Sequence, residues 1–486
     1  MVKKYFDVIV VGAGLSGIGA AYHLKKLCST KSFAIFEARE SLGGTWDLFR
    51  YPGIRSDSDM HTLGYRFKPW REAKSIADGP SILEYIKQTA EENELHRHII
   101  YGTKVISAHW SSEESQWRVS VLDTSRNQVE EYFCNFLQLS SGYYNYDGGY
   151  TPAYSGLENF QGSFIHPQQW PENFQCKNKK IIVIGSGATA VTLVPSLAKT
   201  ALKVTMLQRS PTYIVSRPDK DFVANTLRKI LPETWAYNIV RWKNIAFQQY
   251  FYRRARKNPE KIKQILLKKV RQELGDGYDI GKNFTPNYKP WDQRICLVPN
   301  ADLFASIRSG KAEVVTNTIT RFVENGIELK NGEVLEADVV VSATGLDMVV
   351  LGGAEFFVDG KQVDFSKTFT YKGMMFSGVP NVMSTFGYIN ASWTLRADLN
   401  NEYLCRLLRY MDDNKVKTCV PELRENEKDM TARPWIDDFS PGYFQRVLDA
   451  LPKQGGHEPW LNTQNYPADK KLLLKAKIDD GVMTFT

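Results

Sequence analysis

Two glycine-rich turns, each placed directly after a short apolar run, limit what this 486-residue chain can fold into. Residues 7–11 lead into the first turn, at residues 12–17, and residues 180–184 lead into the second, at residues 185–190. Apolar residues at helical spacing follow both turns. A buried parallel strand, a tight glycine turn and a helix are the unit that binds dinucleotides. The sequence therefore predicts an α/β protein with two Rossmann-like dinucleotide-binding domains.

The first turn carries the residue types that a dinucleotide site needs, in the right order. Gly12, Gly14 and Gly17 permit the tight turn, the approach of backbone to a pyrophosphate, and close packing of helix on strand. Ser16 lies among them, and Glu37 closes the next strand, where an acid accepts hydrogen bonds from ribose hydroxyls. A lone glycine motif is weak evidence, but strand, turn, helix, second strand and acid together predict a site for FAD or NAD.

The segment after the first site favours FAD over NAD. Residues 43–46, Gly-Gly-Thr-Trp, extend the expected contact beyond the pyrophosphate, towards the part of FAD that carries the flavin. Beyond the glycine turn and Glu37, the residues expected to bind this cofactor are Gly44, Thr45, Trp46, Asp47, Leu48, Arg55, Ser56, Asp57 and Val105.

The second turn is predicted to bind NADPH. Its third glycine is replaced by Ala190, an accepted variant of the motif. At the end of the following strand stands Arg209, where an acid would repel a 2′-phosphate and a guanidinium can pair with it through two hydrogen bonds. The other candidate contacts are Gly185, Ser186, Gly187, Ala188, Thr189 and Ser210.

Composition restricts the class of protein further. The chain is 43 % hydrophobic, enough for two or three domains, and no run approaches the roughly 18 apolar residues of a membrane span. Its six cysteines show neither a disulfide framework nor metal-type spacing, so no metal is expected and a reducing cytoplasm is the expected location.

The net charge of +8 is concentrated in one segment, residues 222–275, which has thirteen Lys and Arg against three Glu. We keep two interpretations open: a solvated face of a helical insertion, or a peripheral contact with anionic lipid through basic and aromatic residues. Nucleic acid is not expected as a partner, because no recognition motif accompanies the charge. The aromatic residues available for a lipid contact are Trp235, Tyr237, Trp242, Phe247, Tyr250 and Phe251.

Two further motifs carry a family resemblance. One is Phe160-x-Gly162-x-x-x-His166-x-x-x-Trp170-Pro171, and the other runs from Gly43-Gly-x-Trp through Tyr-Pro-Gly to Asp57. With these residues the chain resembles, over nearly its whole length, the class B flavoprotein monooxygenases of the Baeyer–Villiger type. The resemblance implies that Phe160, Gly162, His166 and Trp170 belong to a hinge between the nucleotide domains rather than to the catalytic group; a simple core histidine is the alternative for His166.

The resemblance also implies a reaction. It predicts an FAD-containing, NADPH-dependent enzyme that uses O2, through a C4a-peroxyflavin, to convert small apolar ketones to esters or lactones and to oxidise sulfides or thioamides. Arg294 matches the family's active-site cation, and Asp57 matches the acid that positions it. Many relatives place a lysine before that arginine, whereas this chain has Gln293, so its preference for NADPH over NADH is expected to be softer.

On the family's plan, the FAD domain comprises residues 1–147 and 347–486. The NADPH domain comprises residues 148–216 and 292–346, interrupted by a helical insertion at 217–291, and residues 387–393 are expected beside the substrate pocket. Three alternatives stay open: an N- or S-oxygenating flavin monooxygenase, which Trp170 disfavours; a disulfide reductase, which lacks its cysteine pair here; and a nucleotide sensor or membrane-docking protein without turnover, which has no need of Asp57 and Arg294.

Overall fold

The computed structural model describes residues 4–437 and 439–486, and this part of the chain forms 25 strands and 13 α-helices. The strands are β1 (Tyr5–Val11), β2 (Phe33–Phe36), β3 (Ile99–Ile100), β4 (Thr103–Ser111), β5 (Gln116–Asp123), β6 (Gln128–Leu139), β7 (Ser163–Ile165), β8 (Lys180–Ile184), β9 (Lys203–Gln208), β10 (Ile214–Arg217), β11 (Cys296–Pro299), β12 (Ala312–Thr316), β13 (Ile319–Val323), β14 (Gly326–Leu329), β15 (Val334–Glu336), β16 (Val339–Ser342), β17 (Glu355–Val358), β18 (Lys361–Gln362), β19 (Thr370–Tyr371), β20 (Met375–Phe376), β21 (Val382–Ser384), β22 (Cys419–Pro421), β23 (Arg433–Pro434), β24 (Lys453–Gln454) and β25 (Met483–Phe485).

The helices follow the same chain order. They are α1 (Leu15–Leu27), α2 (Thr45–Leu48), α3 (Met60–Leu63), α4 (Gly79–Glu92), α5 (Ala188–Leu197), α6 (Phe222–Ile230), α7 (Glu233–Lys257), α8 (Pro259–Leu274), α9 (Ile280–Phe284), α10 (Asp302–Arg308), α11 (Trp393–Asp413), α12 (Gly442–Gln445) and α13 (Tyr466–Lys475).

The larger sheet has nine strands in the order β18-β17-β4-β5-β6-β1-β2-β3, with β21 also against β6. Strand β1 lies between β2 and β6 and is parallel to both. Val8 and Val10 pack into one hydrophobic cluster and Ile9 into another, so both faces of the strand are covered and the three residues have no exposed surface. Strands β4, β5 and β6 pair antiparallel, which the sequence did not predict. Helix α1 follows β1 and packs against α11.

The smaller sheet has five strands in the order β12-β9-β8-β16-β7, all parallel. Strand β8 leads into the second glycine turn and α5, as β1 leads into the first turn and α1. Two parallel sheets, each with a glycine turn between strand and helix, confirm the predicted fold class. Because only elements up to residue 139 and after residue 355 build the larger sheet, the chain crosses between the two units twice.

Gly17 lets α1 lie close to the turn that precedes it. A Cβ atom at Gly17 would stand 1.8 Å from the carbonyl oxygen of Gly12, far inside van der Waals contact. Gly12 itself has φ +100°, a conformation that residues with a side chain rarely adopt, and a Cβ there would meet the backbone of Ser140 at 2.7 Å. Both glycines are therefore required by the packing of helix on strand.

Helices α6 to α9 form the predicted helical insertion between β10 and β11. Two residues that the sequence assigned to its basic and aromatic surface lie inside instead, so that assignment is wrong for them. Arg241 is buried, because its guanidinium donates to the carbonyl oxygens of His61 and Gly64 at 2.8 and 2.7 Å, and Tyr237 is buried because its hydroxyl donates to the carbonyl of Tyr65 at 2.9 Å.

No helix in the described part of the chain is long and apolar enough to cross a membrane. The six cysteines are all free and buried, and the described residues contain no group of three or more metal-ligating side chains. The domain boundaries expected from the sequence stay a prediction.

The contact of Gly17 with Gly12 yields a first prediction. Gly17→Ala forces a methyl group onto a backbone oxygen, so we expect the free energy of unfolding to fall by about 1–3 kcal/mol and the purified protein to lose the FAD that the sequence predicts at this turn. Urea unfolding and the visible absorbance measure the two effects. Gly277→Ala is the control, because a Cβ at Gly277 meets no atom within 4 Å. Equal stability and equal colour for the two variants would contradict the argument.

Candidate functional site

One cavity of about 930 Å³ runs from the first glycine turn to the start of α5 in the second unit. Most of the residues predicted to bind the first cofactor line it, together with two residues of the second turn and both predicted catalytic residues. Those on its wall are Gly12, Gly14, Ser16, Glu37, Gly44, Thr45, Trp46, Leu48, Arg55, Ser56, Asp57, Val105, Ala188, Thr189 and Arg294.

Glu37 is fixed at the end of β2 by two backbone donors. The Ala13 amide donates to one carboxylate oxygen at 2.7 Å, and the Arg39 amide donates to the other at 3.0 Å. The carboxylate is 4 % exposed, and this burial raises its pKa, while the two amides partly oppose the rise. Each carboxylate oxygen can accept a further hydrogen bond, and Glu37 lines the cavity, which suits acceptance of ribose hydroxyls.

The walls around the first turn approach too closely for side chains. Gly44 has φ +56°, and a Cβ there would stand 3.0 Å from the Cα of Gly14, so the backbones of the two glycines lie almost in contact on the cavity wall. Ser16 accepts a hydrogen bond from Nε1 of Trp393 at 2.7 Å. Trp393, in the segment expected beside the substrate pocket, therefore lies on the cavity wall.

Two of the contacts predicted for the first cofactor, Gly17 and Asp47, are not on the cavity wall. Gly17 is needed for the packing of α1 on its turn. The buried Asp47 carboxylate turns away from the cavity: its Oδ2 lies 2.7 Å from Arg39 Nη2 and accepts a hydrogen bond from the Ser41 hydroxyl at 2.5 Å. Asp47 thus stabilises the turn that presents Gly44 rather than reaching the cavity. Arg39 does line the cavity and was missed, because nothing in the sequence distinguishes it from a surface arginine.

Arg294 and Asp57 meet on the cavity wall although 237 positions separate them. Arg294 Nη1 donates to Asp57 Oδ2 at 3.2 Å, while Arg294 Nε is shielded from solvent and has no partner in the described structure. Burial is the largest influence and works to lower the pKa of Arg294, but Asp57 and the neighbouring tyrosines together raise the pKa by more, so the net pKa lies above the ordinary value. The guanidinium is a permanent cation whose buried Nε–H has no partner in the described structure.

Tyrosines that the sequence did not single out surround this cation. Tyr143 and Tyr144 line the cavity, with their hydroxyl oxygens 2.8 Å apart and their ring centroids 4.2 Å apart. Burial is the main cause that raises the pKa of Tyr144, so it stays a neutral phenol. The motif Ser-Gly-Tyr-Tyr after β6 was visible in the sequence, but its position beside Arg294 depends on the crossing between the two units.

The second glycine turn, residues 185–190, contributes fewer residues to the cavity wall than the first. Gly185 has φ +138°, and a Cβ there would stand 2.3 Å from the carbonyl oxygen of Ala343, so glycine is required. Ser186 Oγ donates to the carbonyl of Ser210 at 3.0 Å, which brings the turn beside the exposed Arg209. Ala190 is buried in the core of this unit. The predicted residues outside the cavity wall are Gly185, Ser186, Gly187, Ala190, Arg209 and Ser210.

His166 connects the two chain crossings. Its Nε2 lies 3.2 Å from the carbonyl oxygen of Gly345, its Nδ1 accepts from the Gln168 amide, and a Cβ on Gly149 would collide with its ring. Burial lowers its pKa, so the ring is neutral at neutral pH. The other motif residues pack locally: Phe160 and Gly162 touch each other, and Trp170 packs edge-on against Phe174. This placement fits a hinge, and the hinge role stays a prediction.

Comparison with known proteins matches the whole chain. Residues 75–390 match the flavin-binding monooxygenase-like family, and residues 10–75 match an NAD(P)-binding Rossmann-like domain. The FAD-containing monooxygenase EthA of Mycobacterium tuberculosis is 54 % identical over 483 residues, covering 99 % of this chain and 98 % of that protein. The probable FAD-binding monooxygenase AlmA of Acinetobacter baylyi is 46 % identical, covering 99 % and 96 %.

Solved structures share the fold. An oxidized steroid monooxygenase bound to NADP superposes with a TM-score of 0.80 at 21 % identity, covering 99 % of both chains. An open structure of cyclohexanone monooxygenase gives 0.79 at 19 % identity, covering all of both chains.

Two nucleotide-binding units that share one cavity, with a fixed cation on its wall, define a flavoprotein monooxygenase. The chain belongs to the flavin-binding monooxygenase-like family. The resemblance to class B flavoprotein monooxygenases and the prediction of an enzyme are thereby confirmed. The alternative of a protein without turnover is set aside.

The orientation of Asp47 yields a second prediction. Asp47→Asn removes the charge that holds Arg39, so we expect the free energy of unfolding to fall by about 2–3 kcal/mol and the affinity for FAD to drop, although Asp47 does not face the cavity. Urea unfolding and titration of the apoprotein with FAD measure both. Glu40→Gln is the matched control, because Glu40 lies exposed on the same turn. Weaker FAD binding with unchanged stability would instead indicate direct contact.

Proposed function

We propose that this protein is an FAD-containing, NADPH-dependent Baeyer–Villiger monooxygenase, which converts ketones to esters or lactones and also oxidises sulfides or thioamides. The observation that carries the proposal is the Arg294–Asp57 pair on a cavity that both glycine turns reach. A ketone, O2, NADPH and a proton give the ester, NADP and water, so one oxygen atom enters the product and NADPH supplies both electrons.

The residues present fit FAD along the first part of the cavity. Gly14 and Gly44 leave room for the pyrophosphate, and the N-terminus of α1, 13 residues long, favours its negative charge. Glu37 accepts from the adenosine ribose. Reduced flavin and dioxygen supply the oxygen atom that is inserted. The named relatives EthA and AlmA, which are FAD-containing and probable FAD-binding monooxygenases, support this assignment.

Arg294 performs the electrostatic part of the reaction. When a nucleophile adds to a ketone carbonyl, negative charge develops on the carbonyl oxygen, and fixed donors beside it lower the barrier. Arg294 offers an unpartnered Nε–H and cannot lose its charge at physiological pH. Asp57 contacts one edge of the guanidinium and orients it. Tyr143 and Tyr144 line the same wall of the cavity.

NADPH is assigned to the second turn. Arg209 is exposed beside Ser186 and Ser210 and makes no ion pair within the described residues, so its guanidinium is available to a 2′-phosphate. Ala188 and Thr189, at the start of α5, face the cavity, which gives a bound nicotinamide a path to the flavin. Gln293 stands next to Arg294 where many relatives have a lysine.

Arg294 yields a third prediction. Arg294→Ala is expected to keep FAD but to lower the kcat for ester formation at least about 100-fold, because a donor to the developing oxyanion is lost. Arg294→Lys keeps the positive charge but lacks the fork of donors, so its kcat is expected to lie between that of Arg294→Ala and that of the unmodified enzyme. Arg308→Ala is the control, since Arg308 pairs with Glu273 at the surface. Product mass from a panel of cyclic, aliphatic and aryl ketones provides the measurement.

Two experimental outcomes would contradict the proposed role of Arg294 or the proposed reaction. If Arg294→Ala makes ester at more than about a tenth of the original rate, the role assigned to Arg294 is wrong. If the unmodified holoenzyme forms no ester from any ketone but oxygenates sulfides or amines, the chain is a flavin monooxygenase of the N- or S-oxygenating kind.

Arg209 yields a fourth prediction, on coenzyme choice. Arg209→Ala is expected to raise the KM for NADPH roughly 10- to 100-fold and to leave the KM for NADH unchanged, because only the 2′-phosphate contact is lost. Gln293→Lys is expected to act in the opposite direction by adding a cation. Steady-state oxidation of both coenzymes measures the effect, and Arg321→Ala, remote in the pair with Glu328, is the control. Equal effects on NADPH and NADH would contradict the assignment.

A further inference from the structure

Large apolar side chains are exposed along one face of α7. Trp235, Ile239, Trp242 and Tyr250 are 68 %, 43 %, 72 % and 60 % exposed, and we call them the α7 stripe. Their spacing of three or four residues, continued through the exposed Ala246, places them on a single side of the helix. An exposed stripe of this kind marks an interaction surface rather than a core.

The neighbouring helix extends this surface. Phe222 and Ile230, at the two ends of α6, are 81 % and 69 % exposed, and α6 packs against α7. Of the fifteen large hydrophobic residues that are exposed in the described chain, nine lie between residues 222 and 265. The concentration in one short segment shows that the exposure is a property of the insertion and not of the surface in general.

The opposite face of α7 is firmly held. Arg241 donates to backbone carbonyls in and beside α3, and Nδ2 of Asn244 donates to Asp59 at 2.8 Å. Nε2 of Gln248 donates to the other oxygen of Asp59 at 3.2 Å. The helix is therefore anchored without using the α7 stripe, which remains free for a partner.

Cations border the stripe. Lys229 is exposed beside Ile230, and Arg253 is exposed one turn beyond Tyr250, with neither paired in the described structure. The segment's few acids are partly neutralised from outside it: Glu233 pairs with Arg71, and Glu273 pairs with Arg308. The surface therefore combines exposed tryptophan and tyrosine with unpaired positive charge.

We propose that the outer face of α6 and α7 docks on the surface of an anionic lipid bilayer. Tryptophan and tyrosine prefer the boundary between headgroups and acyl chains, and lysine and arginine bind the lipid phosphates. The helices lie in the interface plane and do not span the bilayer. A second copy of this chain is a poorer occupant, because two identical faces would bring the unpaired Lys229 and Arg253 of both copies together.

The experiment uses the holoenzyme and sedimentation with vesicles of phosphatidylcholine, alone or with a quarter phosphatidylglycerol. Binding is expected only with phosphatidylglycerol and is expected to weaken as salt rises. The double variant Trp235→Ser with Trp242→Ser is expected to weaken binding more than about tenfold. The double variant Lys229→Gln with Arg253→Gln is expected to weaken it roughly 30-fold. Controls are Val129→Ser and Lys330→Gln, at exposed positions far from the insertion in sequence, which should bind as the original protein does.

The outcomes separate the possible occupants. Each variant is first checked for full FAD content and unchanged thermal unfolding. No binding to anionic vesicles, or binding that the four insertion substitutions leave unchanged, overturns the proposal. Light scattering gives the mass in solution, and a dimer that Trp235→Ser/Trp242→Ser converts to a monomer assigns the face to a second copy of the chain. Ester formation is measured separately, so failure of the membrane proposal and failure of the proposed reaction are distinguishable.

Discussion

The ion pair between Arg294 and Asp57 ties the two nucleotide-binding units together at the cavity. Asp57 follows the segment that wraps the first turn, and Arg294 stands just before β11, where the chain leaves the insertion. The Arg294 guanidinium therefore contacts both units. A carboxylate from the first unit holds one edge, and the unpartnered Nε–H is available to donate to a substrate. The raised pKa of Arg294, the two tyrosines on the same wall and the approach of the second turn all converge on this one position.

Much of this arrangement could be predicted from the sequence, for a physical reason. Glycine turns between strand and helix are local: Gly12, Gly17 and Gly185 are required by backbone atoms nearby in the fold, and each is visible as a motif. Asp57 and Arg294 were found only through the family resemblance, because no local pattern brings residues 237 positions apart into contact.

What the sequence could not predict depends on tertiary partners. Asp47 looks like a cofactor contact until Arg39 and Ser41 are seen to hold it, and Arg241 looks like one more surface charge until three backbone carbonyls surround it. In both cases a charged side chain is buried where it finds several polar partners, and burial of that kind leaves no trace in composition or spacing. The antiparallel pairing of β4 to β6 was missed because it joins strands through backbone hydrogen bonds, which no motif marks.

The insertion looks removable in the sequence, since it interrupts an otherwise continuous unit. The structure argues against excision: without α7, the carboxylate of Asp59 would lose the amides of Asn244 and Gln248, and the carbonyls of His61 and Gly64 would lose their guanidinium donor. Asp59 stands two positions after Asp57. A chain without the insertion would therefore lose the hydrogen bonds that fix residues 59–64, next to Asp57 in the reactive centre. Helix α7 is thus part of the framework that positions Asp57.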